Sequence, residues 1–266
     1  MASISKLTVS KLNGLVGLVT GAGSGLGRAT AENFVKQGAR VVVCDTNAET
    51  GEEAVKSLGD SAVFVQTDVT SEDQVKSAIE TARKKYGKLD VAVNCAGIAV
   101  AIQAYNSKKD ALHPLHYFER VLMVNTLGTF NVCRLAAQAM NKNEPDSNGQ
   151  RGVIVNTASV AAYEGQRGQS AYAASKGGVV GMTLPLAREF AYFGVRVMTI
   201  APGLFDTPML QGLPPKVREF LASTIPFPQQ LGPPEIYAHL VQAIVENPML
   251  NGEVIRLDGA LRMQPN

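Results

Sequence analysis

Residues 15–34 read LVGLVTGAGSGLGRATAENF. An apolar run, 15–20, stops at a turn holding Gly21, Gly23, Gly25 and Gly27, and a helical pattern then runs to about residue 37. The run does not alternate, so both faces of the strand are covered, as in a parallel sheet. A strand, a glycine turn and a helix in that order open a βαβ unit. The rhythm continues outward. RVVVCD (40–45), AVFVQTD (62–68), LDVAVN (89–94), GVIVNTAS (152–159), VRVMTIAPG (195–203) and GEVIRLDG (252–259) read as six further strands. Helices are expected over 71–87, 115–140 and 169–191. The first of these opens with Ser71 and Asp73, ends at Gly87, and carries its acids early and its bases late. The pattern covers nearly the whole chain. It predicts one doubly wound, Rossmann-type α/β domain over 12–266, a seven-stranded parallel sheet with helices on both faces.

The chain has 266 residues, 45% of them hydrophobic and 18% charged, with a net charge of +2. That balance suits one large globular domain and excludes a strongly basic nucleic-acid module. Cys44, Cys95 and Cys133 are widely spaced and form no C-x-x-C pair, so neither a disulfide framework nor a zinc site is expected, and no metal is assigned. No apolar stretch is long enough to span a bilayer. Residues 1–11, MASISKLTVSK, hold Lys6, Lys11 and three serines but no acid. They read as a tail with the character of a mitochondrial targeting segment, the alternative being an ordinary N-terminus of a cytoplasmic protein. Two polar insertions, 103–116 and 141–151, interrupt the rhythm. A third irregular region, 202–234, holds eight of the 13 prolines and is expected to fold over the carboxyl edge of the sheet as a lid.

The glycine turn fits T-G-x-x-x-G-x-G. Its glycines permit a tight turn and close backbone approach, and the helix behind offers N–H groups to a pyrophosphate. A plain tight turn would use glycines too; the strand–turn–helix setting favours a dinucleotide site built on Gly21, Ser24, Gly25, Leu26 and Gly27. Asp45 closes the second strand about twenty residues on, where a carboxylate accepts from ribose hydroxyls and repels a 2′-phosphate. Together with the non-basic Ser24 and Thr46 it points to NAD over NADP, although Arg28 adds a nearby cation. Asp68 and Val69 follow the third strand, where the adenine edge belongs. Asn94, Cys95, Ala96 and Gly97 follow the fourth, at the topological switch, with Cys95 read as a packing residue and not a nucleophile.

Tyr172 and Lys176 are four apart on one helical face. An ammonium within about 4–6 Å lowers an acid's pKa, so Lys176 is expected to help Tyr172 act as a general base. Y-x-x-x-K alone is also the spacing of a solvated surface pair. Ser159, at the end of the fifth strand, can donate to a carbonyl oxygen gaining negative charge. Asn125, inside the helix before that strand, can hold a water leading from Lys176. Gln166, between Ser159 and Tyr172, is a candidate substrate contact. Lys108, Lys109 and Arg120 are candidates to meet phosphates.

In this order the motifs resemble the short-chain dehydrogenase/reductase family. T-G-A-G-S-G-L-G at 20–27, Asp45, Asp68, N-C-A-G at 94–97, Asn125, Ser159, Tyr172-A-A-S-Lys176 and Pro202-Gly203 carry the likeness over about residues 12–260. It implies sheet order 3-2-1-4-5-6-7, a homotetramer and hydride transfer at a nicotinamide. N-C-A-G-I-A-V-A, the 141–151 insertion, N-T-A-S-V-A-A, A-P-G-L-F and N-G-E-V-I-R-L-D-G-A are similar to a mitochondrial branch of the family. That branch implies NAD-dependent oxidation of 3-hydroxyacyl-CoA in fatty-acid and branched-chain amino-acid breakdown, with some hydroxysteroid oxidation. It implies cofactor contacts at Ser24, Leu26, Asp45, Asp68, Val69, Cys95, Tyr172, Lys176 and Phe205, with Pro202 and Thr207 counted beside them. It also implies a place beside a tRNA methyltransferase in a mitochondrial tRNA-processing complex. Arg28 and Asp206 depart from the usual pattern and bear on specificity. The alternative within the family is a reductase of 3-oxoacyl-carrier-protein or a sugar.

Overall fold

The computed structural model describes residues 7–265; residues 1–6 and 266 lie outside it, and with them more than half of the segment read as a targeting signal. The described residues form strands β1 (Val16–Thr20), β2 (Arg40–Asp45), β3 (Ala62–Gln66), β4 (Val91–Asn94), β5 (Gly152–Thr157), β6 (Val195–Pro202) and β7 (Val254–Leu257). All pair in parallel, in the order 3-2-1-4-5-6-7. The helices are α1 (Gly25–Lys36), α2 (Ala48–Leu58), α3 (Glu72–Tyr86), α4 (Leu115–Leu122), α5 (Thr129–Met140), α6 (Ser170–Ala191), α7 (Pro208–Gln211), α8 (Pro215–Ser223) and α9 (Pro234–Glu246).

The apolar runs of the strands explain the layers. One face packs against α3, α5 and α6 through Val75, Ile79, Val132, Ala136, Leu186 and Phe190. The other packs against α1, α2 and α9 through Phe34, Ala54, Val241 and Ile244. Phe34 is fully buried, and hiding a ring of that size contributes roughly 2–3 kcal/mol. The α3 helix starts where expected: the Ser71 hydroxyl accepts from the Gln74 amide, and Gly87 ends the helix in the left-handed region.

Several elements go beyond the sequence reading. The α2 helix is capped by Asn47, whose side chain accepts from Thr50 N at 3.3 Å. The α9 helix opens on Pro234, a favoured first position. The helix expected over 115–140 is not uniform: Met123–Gly128 widens into a π turn between α4 and α5, with Asn125 inside it. Of the insertions, the first carries a short antiparallel ribbon, Tyr105–Asn106 against Ala111–Leu112. The second holds the N-terminal arm. Asn148 accepts from Thr8 N at 3.0 Å and donates to Thr8 O at 2.9 Å, and Ser10 N donates to Glu246 O at 3.0 Å. Region 202–234 contains α7 and α8 and is clipped at its ends, where Gly232 N donates to Leu204 O and Asp206 N to Gly232 O. Among the described residues no helix is long and apolar enough to cross a membrane.

Arg196, near the start of β6, is 7% exposed. Its guanidinium donates to Leu250 O at 2.6 Å and to Ile244 O and Val245 O at 3.0 Å, satisfying carbonyls at the end of α9 and ahead of β7. Removing the donors leaves those buried acceptors unpaired. Arg196→Met is therefore expected to lower stability by about 2–4 kcal/mol, read as a fall in the urea midpoint at unchanged slope; a midpoint equal to that of the parent would contradict this account.

Candidate active site

The carboxyl ends of β1, β2, β4 and β5 converge on one edge. At the first of them, Gly21 has φ +62°, and a Cβ there would stand 2.8 Å from Ala96 N and 2.9 Å from Cys95 C. Only glycine lets the turn after β1 press on the loop after β4. Ser24 precedes α1 without a side-chain cap, and the first turn of α1 holds no acid. Its amides therefore face outward as an anion cradle. Asp45 closes that cradle: Oδ2 accepts from Gly23 N at 2.9 Å and Oδ1 from Asn47 N at 3.0 Å. Arg28, the unexpected cation, is turned to carboxylates, with Nε 3.0 Å from Glu32 and Nη1 3.2 Å from Glu53. The Thr207 methyl lies 3.4 Å from where a Cβ on Gly25 would be, so the 202–234 region begins against the glycine turn.

Asp68 accepts from Thr70 N at 2.9 Å and Thr70 Oγ1 at 2.7 Å, shaping the turn after β3; Val69 is buried beside Gly128. Asn94 turns inward, its Nδ2 donating to Asn156 Oδ1 at 2.8 Å, so its amide serves the sheet interior. Ala96 N donates to Thr20 Oγ1 at 3.2 Å. The Cys95 thiol lies 3.7 Å from Tyr237 Oη and 3.6 Å from Thr157 Oγ1, and burial pushes its pKa up. That environment suits packing and not nucleophilic attack. Phe205 is buried with its ring against Gly232, and Pro202 ends β6 in register with Leu257. Asp206 is exposed and accepts from Gln211 Nε2 at 3.2 Å.

Ser159, Tyr172, Lys176 and Asn125 are brought together at this edge. The Tyr172 phenol stands beside the Ser159 side chain, whose Oγ accepts from Ala161 N at 3.1 Å. Lys176 Nζ donates to Thr157 O at 2.8 Å and lies 5.8 Å from the centre of the Tyr172 ring. Asn125 is fully buried; Oδ1 accepts from Ile98 N at 2.8 Å, and Nδ2 donates to Ile98 O at 2.8 Å and Ser175 Oγ at 2.9 Å. A Cβ on Gly97 would stand 3.2 Å from Asn125 Oδ1 and 3.4 Å from Lys176 Nζ, so these two groups meet over a backbone without a side chain. Burial raises the Tyr172 phenol while the neighbouring Ser159 side chain lowers it, and burial brings the Lys176 ammonium down to about 8. The sequence reading expects the ammonium to act on the phenol; here the larger influence on both groups is burial, which favours their neutral forms.

Gln166 sits on the loop between Ser159 and α6, its Nε2 donating to Gln264 O at 3.0 Å. Lys108, Lys109 and Arg120 are exposed. Thr157, Ser175 and Tyr237 were not singled out from sequence. Thr157 and Ser175 hold Lys176 and Asn125, and Tyr237 is buried with its hydroxyl 2.7 Å from Thr157 Oγ1. Tyr237 lies on α9, an element whose apolar spacing (Tyr237, Val241, Ile244, Val245) carries the signal. Among the described residues no three His, Cys, Asp or Glu side chains gather to hold a metal.

Comparison with known proteins gives three findings. A family model described as short chain dehydrogenase matches residues 16–218. The chain is 64% identical over 254 residues to a bovine protein named 3-hydroxyacyl-CoA dehydrogenase type-2, and 63% to its human counterpart, in each case covering 96% of this chain and 97% of the relative. A crystal structure of 3-hydroxyacyl-CoA dehydrogenase type-2 from Mycobacterium avium superposes with a TM-score of 0.91 at 41% identity, covering 95% of this chain and 98% of that one.

The contact over Gly97 generates a test. Gly97→Ala places a methyl group between the Asn125 amide and the Lys176 ammonium. Displacing either by a fraction of an ångström is expected to lower dehydrogenase turnover about ten- to a hundredfold. Steady-state rates alongside a thermal melt check this, the melt being expected to stay close to that of the parent.

Proposed function

The chain belongs to the short-chain dehydrogenase family, and on that premise we propose that it interconverts 3-hydroxyacyl-CoA and 3-oxoacyl-CoA with NAD. The observation that carries the reading is the gathering of Tyr172, Lys176 and Asn125 beside Ser159, at the same edge as the glycine cradle and Asp45. The likeness to the bovine and human 3-hydroxyacyl-CoA dehydrogenases supports the substrate class.

The cradle fits a dinucleotide: uncapped amides at α1, a turn whose Gly21 presses on the backbone after β4, and a carboxylate bonded to Gly23 N of the same turn. Bound there, a nicotinamide dinucleotide supplies the carbon that accepts or returns the hydride. Asp45 selects against a 2′-phosphate. Arg28 does not offset it, being paired with Glu32 and Glu53. Contacts are assigned to the glycine turn, Ser24, Leu26, Asp45, Asp68, Val69, residues 94–97, Tyr172, Lys176, Pro202, Phe205 and Thr207.

Ser159 and Tyr172 hold the substrate oxygen. In oxidation the Tyr172 oxygen takes the hydroxyl proton while the carbinol carbon loses hydride; in reduction the phenol returns a proton to the oxygen. Lys176 is fixed by Thr157 O one turn along α6 from Tyr172, its Nζ 5.8 Å from the ring centre. Asn125 has one acceptor position left on Oδ1 after its bond from Ile98 N, toward Gly97 and Lys176, and there it anchors a proton-relay water. Gln166 contacts the acyl side, and Lys108, Lys109 and Arg120 meet the CoA phosphates. Some hydroxysteroids share the secondary-alcohol chemistry.

A homotetramer is part of the same proposal. Exposed Leu115, Met123, Leu127 and Phe130 along α4–α5, with Leu184 on α6, form an apolar surface fit for a second copy. The basic, acid-free start of the chain supports a mitochondrial matrix location. A place beside a tRNA methyltransferase in a tRNA-processing complex is proposed from the family likeness.

Tyr172→Phe is expected to lose about 10²–10⁴ in turnover of acetoacetyl-CoA while binding NADH as the parent does, followed by NADH fluorescence. Near-parental turnover would remove Tyr172 from the chemistry. The parent is expected to prefer NADH to NADPH in the same assay; equal use of both would count against the role given to Asp45.

A further inference from the structure

Between Ser159 and Tyr172 the chain runs through a loop whose placement rests on charged groups outside the tetrad. Glu164, on this loop, receives a two-pronged bond from Arg256 of β7, Nη1 to Oε1 at 2.6 Å and Nη2 to Oε2 at 2.9 Å. Arg256 also donates from Nε to Asp258 at 2.7 Å and from Nη2 to Leu261 O at 3.0 Å, and lies 5.3 Å from the centre of the Tyr163 ring. Arg262 adds contacts to Asp258 at 3.3 Å and Glu164 at 3.5 Å. The side chains of Arg256 and Glu164 are each 23% exposed and that of Asp258 8%. Partly shielded, forked pairs of this kind hold geometry as well as charge.

What the pair holds faces the site. Gly165 packs so tightly on α6 that a Cβ there would lie 2.9 Å from the Ala173 methyl, next to Tyr172. Gln166 N donates to Gln169 Oε1 at 2.9 Å, and Gln169 O accepts from Ala173 N at 2.7 Å, so the loop is continuous with the first turn of α6. The C-terminal segment closes the other side: Gln166 Nε2 donates to Gln264 O at 3.0 Å and Arg167 N to Pro265 O at 3.1 Å. Gly168 O accepts from Ile102 N at 2.9 Å, which joins the segment just ahead of the first insertion to the same wall.

We propose that Glu164 and Arg256 are positioning residues for the acyl-substrate side of the site: their ion pair sets the loop that presents Gln166 and backs the Tyr172 turn, with the C-terminal segment as its outer brace. The inference rests on the reading of the site as a 3-hydroxyacyl-CoA dehydrogenase. Glu164 is suited to the task, because its bonds to Arg256 hold its carboxyl below the usual range and so keep it charged across neutral pH. Arg256 cannot be replaced by a lysine without losing the fork.

The test uses the full chain with Glu164→Gln, Arg256→Lys and the double variant. KM for acetoacetyl-CoA is expected to rise about tenfold in each single variant, with NADH affinity unchanged and kcat altered less than KM. The double variant is expected to match the singles, since both act through one pair. Amide exchange at Gln166 and Arg167 is expected to quicken in all three. Unchanged KM with unchanged exchange overturns the proposal, as does a loss of NADH affinity in step with KM, which a merely structural role would produce. If Glu164→Gln fails to fold, Arg256→Lys carries the same readouts. An inactive parent that binds NADH would instead refute the substrate reading, and the exchange measurement would still decide whether the pair holds the loop.

Discussion

A buried ammonium is kept only where a fixed acceptor meets it, and Lys176 is met by the carbonyl of Thr157. That bond ties Lys176 to the end of a central strand. Because Tyr172 is one helical turn earlier on α6, fixing Lys176 also fixes the phenol, and the phenol in turn meets Ser159. Asn125 then reaches the same point from the π turn, its amide pinning Ile98 and Ser175. A side chain on Gly97 would separate these groups. Four candidate groups from three elements thus meet beside one carbonyl at the end of β5.

The sheet makes this convergence possible. Parallel strands end on the same edge, and order 3-2-1-4-5-6-7 reverses direction between β1 and β4, so the loops after those strands leave in opposite senses. The turn after β1 and the loop after β4 still touch, at Gly21 and Ala96. The crevice beside that contact is where the uncapped α1 amides and Asp45 lie, while the end of β5 and α6 place Ser159, Tyr172 and Lys176 next to it. The recognition and chemistry proposed for the site therefore fall on neighbouring strand ends and need no second domain.

Much of this was legible in the residues. The uninterrupted apolar runs gave away the parallel strands, and Ser71 and Gly87 bounded α3 within a residue or two. The motif residues sit at strand ends because that is where glycines, acids and amides interrupt an apolar run. Other features were less visible. The α2 helix contains Gly51 and follows a short polar turn, which masks its Asn47 cap. The π turn around Asn125 has no compositional mark, since Met123–Gly128 continues a helical pattern on both sides. Lys176 was expected to act on the phenol by charge alone; its desolvation, which depends on what packs around α6, is a tertiary quantity. The clamp between Glu164 and Arg256 joins residues 92 apart in the chain, and neither carries a motif.

The pairing of Asn148 with the backbone of Thr8 has a practical side. Asn148 lies just ahead of β5 and Ser10 is bonded to the last turn of α9, so this arm runs along the amino edge of the sheet, across the molecule from the crevice. A tether joined at Leu7 would leave from that far side. Enzyme anchored to a bead or electrode by its leading end would keep its mouth turned toward the bulk solution.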